Sequence, residues 1–281
     1  MKKLLLTGSI ILGLAFSDAQ VKTPQASPSA KVSQVVGLTD INVEYARPSA
    51  KKRKVFGDLV PMKQVWRTGA NAPTTIEFST PVIFGDQEVK PGKYALYTIP
   101  TEKAWEIYLY TKTDGWGAPE KLEDKYIAVR TRAEAKTISP EVETFQIGFT
   151  NLTNETADLN LTWQNMNVAI PIKVNPHDDV MKSIKQTMES GKPTASDYNA
   201  AASYLYENNM DLDKALTYIN KAVDLNPDAY WIATTQAEIQ AANKDFKSAI
   251  KSAERAAELS EKAKSETYVK RNKANVEKWS K

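Results

Sequence analysis

The composition changes character at Asn175-Pro176, and this break constrains the fold more than any other feature. Before it, short runs rich in β-branched and aromatic residues are separated by turn signals such as Gly85-Asp86, Pro91-Gly92 and Asp114-Gly115. Residues 40–45 alternate apolar and polar, with Ile41, Val43 and Tyr45 on one face. The runs at 94–99, 105–110, 126–132, 142–150, 157–163 and 168–174 are strongly β-prone. No segment of helical periodicity joins them, so a parallel βαβ arrangement is excluded. An all-β antiparallel sandwich or barrel-like sheet is expected.

After the break, glycine and β-branched residues thin out while alanine and lysine dominate. Val180, Ile184 and Met188 recur at four-residue spacing, and Gly191 with Pro193 stops a helix. Asn209, Asp211, Ala215, Ala222 and Leu225 then recur as Asn243, Asp245, Ala249, Ala256 and Leu259, a period of 34 residues. Each Asp is a natural N-cap, and each alanine permits close helix approach. The expectation is an all-α tetratricopeptide-like helical array, closed by a helix over 266–279. The expected organisation is a signal peptide at 1–19, a flexible lead-in at 20–31, a β-sandwich domain at 32–174, a linker helix at 175–195 and a helical domain at 196–281.

The N-terminus predicts export. Lys2 and Lys3 precede an apolar stretch, and Ser17-Asp18-Ala19 fits a small-x-small cleavage pattern, with the cut after Ala19. The apolar stretch is shorter than the roughly 20 residues of a membrane span, and no other stretch is long enough. The periplasm or the extracellular space is the expected location. The chain has no cysteine, which removes disulfides, thiol catalysis and cysteine metal sites. The formal charge is +3 and falls by one if Lys2, Lys3 and Asp18 are removed, so no nucleic-acid partner is expected. The basic run at 51–54 reads as a solvated loop.

Candidate site residues lie between the second and third runs. Arg47, Trp66, Arg67 and Asn71 occupy irregular sequence between two strands, where a rigid sheet positions binding groups. Two guanidinium groups suit a carboxylate or phosphate, and an indole face suits a guanidinium or a sugar ring. The competing reading pairs each arginine internally with an acid such as Glu44, Asp58 or Glu77. Trp116, between Gly115 and Gly117, is a further candidate. These residues point to a small anionic or carbohydrate-like ligand or a protein partner. A binding or scaffold protein of the cell envelope is expected in preference to an enzyme. The alternative is a hydrolase using two of Asp114, Glu120 and Asp124. His177 is the only histidine and reads as an exposed joint residue, so a histidine zinc site is excluded. No phosphate-cradling or calcium loop is present, and no cofactor is expected.

The segments Arg47-Pro48, Val55-Phe56-Gly57-Asp58-Leu59-Val60-Pro61, Trp66-Arg67-Thr68-Gly69-Ala70-Asn71, Pro91-Gly92-Lys93-Tyr94 and Trp116-Gly117 together resemble the secreted bacterial family catalogued as domain of unknown function 2911. The resemblance covers residues 27–174. It implies that Arg47, Trp66, Arg67, Asn71, Thr74 and Trp116 matter for folding or binding, and it carries no assigned reaction. The helical part resembles a tetratricopeptide array, with Tyr206, Ala215, Ile219, Ala222 and Pro227 matching that pattern. This implies a concave surface that docks protein or peptide. Limited proteolysis is expected to cut at 174–178 and leave two stable fragments; cuts scattered through both halves would refute the boundary.

Overall fold

The computed structural model describes residues 23–281, so the region assigned to a signal peptide lies outside the described residues. The chain divides into two compact units, with the boundary between Asn175 and Pro176. Each is taken by itself.

The first unit is a nine-stranded antiparallel sheet: β1 (Ser29–Val36), β2 (Thr39–Ala46), β3 (Thr74–Phe78), β4 (Val82–Phe84), β5 (Gln87–Val89), β6 (Gly92–Ile99), β7 (Ala104–Tyr110), β8 (Ile127–Thr150) and β9 (Thr156–Val174). Their order is β1-β2-β3-β6-β7-β8-β9-β4-β5, open at both ends. The first strand begins at Ser29 rather than in the region expected at 32–36, because 29–31 find partners in Glu44, Tyr45 and Ala46. The runs at 126–132 and 142–150 are one strand, and so are 157–163 and 168–174. Period-two alternation is interrupted in both by register shifts, which a sequence reading takes for strand ends.

Those shifts bend the sheet. The first part of β8 pairs with β7, and the rest pairs with β9. Register shifts fall between Thr137 and Val142 and again before Gln146. In β9 the inward residues change from Leu159, Leu161 and Trp163 to Val168, Ile170 and Ile172, so the parity flips around Gln164, which has φ +47°. Bulges of this kind increase twist and turn a strand out of its layer. A single core results, drawing Ile41, Val43, Ile76, Phe78, Leu96, Trp105, Ile107 and Leu109 from one layer and Phe145, Leu159, Leu161, Trp163, Ile170 and Ile172 from the other. A second, smaller cluster covers the outer face of β6 and β7: Ala95, Tyr97, Tyr108 and Tyr110 lie under Leu122 from the connection into β8.

The second unit contains α1 (His177–Glu189), α2 (Ala195–Glu207), α3 (Leu212–Leu225), α4 (Tyr230–Ala242), α5 (Phe246–Lys262) and α6 (Glu266–Trp279). Thr194 and Asp197 cap α2 reciprocally. Asp211 and Asp245 accept from the backbone N–H of Lys214 and Ser248, as the repeat pattern predicts for N-caps. Ala215, Ala222, Ala249, Ala253 and Ala256 are fully buried where paired helices meet. Val180 and Met188 of α1 are only half-buried, and no residue of α1 is fully covered. His177 starts α1 and lies against the ring of Tyr204 at 6.2 Å, half-buried rather than exposed.

Replacing Ala215 or Ala249 by Trp overpacks a helix contact by about 1–3 kcal/mol or more. Scanning calorimetry should show the transition of the helical unit lowered and that of the sheet unit unchanged; one shared, shifted transition would refute independent folding.

Candidate functional site

The block from Trp66 to Thr74 is a strand interrupted by a loop. Trp66 exchanges backbone hydrogen bonds with Thr98 at the end of β6, and Thr74 pairs with Leu96 two residues away. Residues 67–73 leave the sheet between these points. The loop is closed by the Thr74 N–H donating to Arg67 O at 3.1 Å and the Thr74 hydroxyl donating to Thr68 O at 2.6 Å. Thr68 and Asn71 have left-handed φ of 53° and 60°. At Gly69 a Cβ would meet the Ala46 carbonyl oxygen at 3.0 Å and the Thr74 hydroxyl at 3.1 Å, so glycine is required for that close approach.

Alternation at this bridge decides which way each side chain faces. Trp66 turns inward, is only 8 % exposed, and donates its indole N–H to Gly69 O at 3.0 Å. It stacks on Trp163 at 6.0 Å and meets Trp105, Phe56 and Phe145 edge-on. The sequence suggests Trp66 as a ligand face; most of the ring packs into the core, and the residue also lines a cleft. Arg67 turns to the opposite face, beside Tyr97. Its Nε is buried and has no hydrogen-bond partner.

Arg47 and Arg67 are engaged differently: Arg47 donates Nε–H to Phe145 O at 3.0 Å, tying the end of β2 to β8, while Arg67 is among the walls of this cleft, whose lining does not include Arg47. Among the described residues neither arginine makes an ion pair: Glu44 is held by Lys31 and Lys93, and Asp58 faces Lys54. The two lysines pull the Glu44 carboxyl below its usual range, the Lys93 hydrogen bond most. Asn71 does not face the cleft. Its side-chain amide donates to Ser27 O at 3.1 Å, and its backbone carbonyl accepts from the Gly117 N–H at 3.3 Å, so it fastens the lead-in and the 111–123 loop together. Trp116, on that loop, is 81 % exposed.

The cleft has a volume of about 400 Å³, with Pro48, Val60, Trp66 and Trp163 among its walls. Its charged lining residues are Lys51, Arg53 and Arg67, and no carboxylate lines it. The first two belong to the basic run that reads as solvated loop. Folding straps that loop down. Glu143 accepts from the Lys51 N–H at 2.7 Å and its backbone from Ala50 N at 2.9 Å. At the β9 bulge, Gln164 accepts from Val55 N at 2.8 Å and donates to Arg53 O at 3.2 Å. Arg53 itself donates to Ala50 O and Ser49 O, which orients its guanidinium. Lys51 and Arg53 are the cleft-lining residues that sequence reasoning missed; the basic run is visible in the sequence, but nothing in it shows a wall of tryptophans opposite.

A second groove of about 620 Å³ on the outer face holds Glu120 and Asp124 together with Lys63, Lys121, Tyr108 and Arg130. Both carboxylates are exposed, and Asp114 is not among its walls. Next to it the Tyr108 hydroxyl donates to Glu106 and accepts from Arg130 Nε at 2.9 Å. The Tyr108 hydrogen bond, with Arg132 at 3.0 Å, holds the Glu106 carboxyl below its ordinary range, so it stays ionised rather than serving as an acid. In the helical unit, α2, α4 and α6 line a third groove, about 890 Å³ in volume, with Tyr206, Trp231, Tyr268 and Trp279 on its walls. At its centre Arg271 grips Glu238 through two bonds of 2.7 Å.

A family model described as "Protein of unknown function (DUF2911)" matches residues 27–172. The chain belongs to this family. The matched region is the sheet unit, including the Trp66–Thr74 loop, the basic loop and Trp116. No curated protein and no solved structure matches the chain.

Gly69→Ala forces a side chain into the Ala46 carbonyl at an unfavourable φ, and should destabilise the sheet unit by about 1–3 kcal/mol. Urea unfolding followed by tryptophan fluorescence measures this; an unchanged midpoint would show that the loop relaxes freely.

Proposed function

We propose that this is an exported binding protein of the cell envelope whose sheet unit holds a small anionic or carbohydrate-like ligand. The cleft at the end of the sheet carries this reading: three cationic side chains line it, none of them is in an ion pair among the described residues, and the buried Nε of Arg67 lacks an acceptor. An orphaned donor costs about 1–3 kcal/mol, and an incoming carboxylate or phosphate oxygen would satisfy it. The helical unit reads as a tetratricopeptide-like array that docks a protein or peptide segment. Its 34-residue period, its capped hairpins and the groove along α2, α4 and α6 support this.

A hydrolase acting through Glu120 and Asp124 is the second reading, favoured by one observation, their shared groove. Both are solvent-exposed, and neither is set in the apolar pocket that holds a general acid.

Arg67→Leu tests the binding reading. Titration calorimetry with phosphate and acetate should show binding to the natural protein and its loss in the variant. Stability should change by less than about 1 kcal/mol, because no acid is left without a partner. A fall of several kcal/mol, or no anion binding by the natural protein, would overturn the assignment.

A further inference from the structure

Among the described residues of the sheet unit, Trp116 is the large hydrophobic side chain left most exposed, at 81 %. The chain on either side of it is not loose. The Gly117 N–H donates to Asn71 O, and Gly117 has φ +81°, a conformation that suits glycine. Each flanking glycine lies against a donor of the cleft region. A Cβ on Gly117 would sit 3.8 Å from Arg67 Nη1, and one on Gly115 would sit 3.8 Å from the Tyr97 hydroxyl. Ala118, one residue further, lines the cleft beside Arg67. The loop therefore runs along the rim of the cleft and presents an indole there. Burial raises the Tyr97 phenol above its usual range, so it remains a hydroxyl donor at neutral pH, with Arg67 close by. Asp114, exposed and two residues before Trp116, is the carboxylate nearest to Trp116 along the chain.

From this arrangement we infer that the ligand is an anionic sugar: a pyranose ring bearing a carboxylate or phosphoryl group. The anion accepts from Arg67 and the Tyr97 hydroxyl, the apolar face of the ring lies on Trp116, and ring hydroxyls donate to Asp114. Charge alone accounts for Lys51, Arg53 and Arg67, but not for an indole held in water. A neutral sugar accounts for the indole, but not for cations without acids. A ring with a negative charge answers both. A guanidinium fork and an aromatic platform recognise different parts of one molecule, so their contributions add as parts of a single binding event. The inference rests on the anion-binding reading above and adds the ring to it.

The test is titration calorimetry on the mature chain with acetate, phosphate, glucose, benzoate, glucuronate and glucose 6-phosphate. Glucuronate should bind roughly tenfold tighter than acetate, or glucose 6-phosphate tighter than phosphate by a similar factor, while glucose alone binds weakly. Which of the two sugars gains more identifies the anionic group. Trp116→Ala should remove the gain from the ring and leave acetate and phosphate affinity unchanged. As an exposed residue it can be replaced without loss of fold, which circular dichroism checks. Tyr97→Phe, which preserves the packing, should weaken all the anions severalfold. If glucuronate and glucose 6-phosphate bind no better than acetate and phosphate, or if Trp116→Ala changes nothing, the sugar inference fails while the anion reading stands. If benzoate equals glucuronate, the ligand is an aromatic acid and the inference is overturned. If no anion binds, both readings fall together.

Discussion

The stacking of Trp66 on Trp163 is the contact on which the sheet unit depends. Trp66 comes from the short bridge beside β6, and Trp163 from β9 in the other layer. Around them Trp105, Phe56, Phe145 and Tyr45 meet at centroid distances of 5.1 to 6.3 Å, mostly edge to face. Each such pair adds about 0.5–1.5 kcal/mol beyond its buried area. In a chain without disulfides, this cluster does the work of a staple between layers.

The same contact creates the site. With Trp66 held inward, strand alternation sends Arg67 to the opposite face. The loop that follows is closed tightly by Thr74, so the chain leaves and rejoins the sheet within two positions of β6. The bulge at Gln164 in β9 also supplies the side chain that holds the basic loop. Core geometry and cleft chemistry are thus set by shared residues. A change in the aromatic cluster reaches the cleft through one or two bonds rather than through a long path.

Positive charge in and beside the cleft is held by backbone contacts rather than by ion pairs. Arg47 and Arg53 both donate to main-chain carbonyls, which fixes them without neutralising them. Elsewhere the protein pairs its charges: Glu44 with two lysines, Glu106 with two arginines, Glu238 with Arg271. The contrast separates a place where charge holds structure from one where charge stays available.

The sequence by itself determined the architecture: antiparallel strands, a break at Asn175-Pro176, and helix pairs at a 34-residue period with aspartate caps. These depend on local period, turn chemistry and capping, which act over a few residues and can be read along the chain. The family block was legible for the same reason, since glycine and left-handed positions around Thr68-Gly69-Ala70-Asn71 mark a tight loop. The division of labour within that block was decided only by tertiary structure. Trp66 packs into the core and lines the cleft, Arg47 and Asn71 are fasteners, and Arg67 keeps a buried donor without a partner. The reason is that these roles follow from register with β6 and from bulges in β8 and β9, which bring residues about 30 to 110 positions apart into contact. No local pattern in the basic run could show that Gln164 and Glu143 would strap it against Trp163.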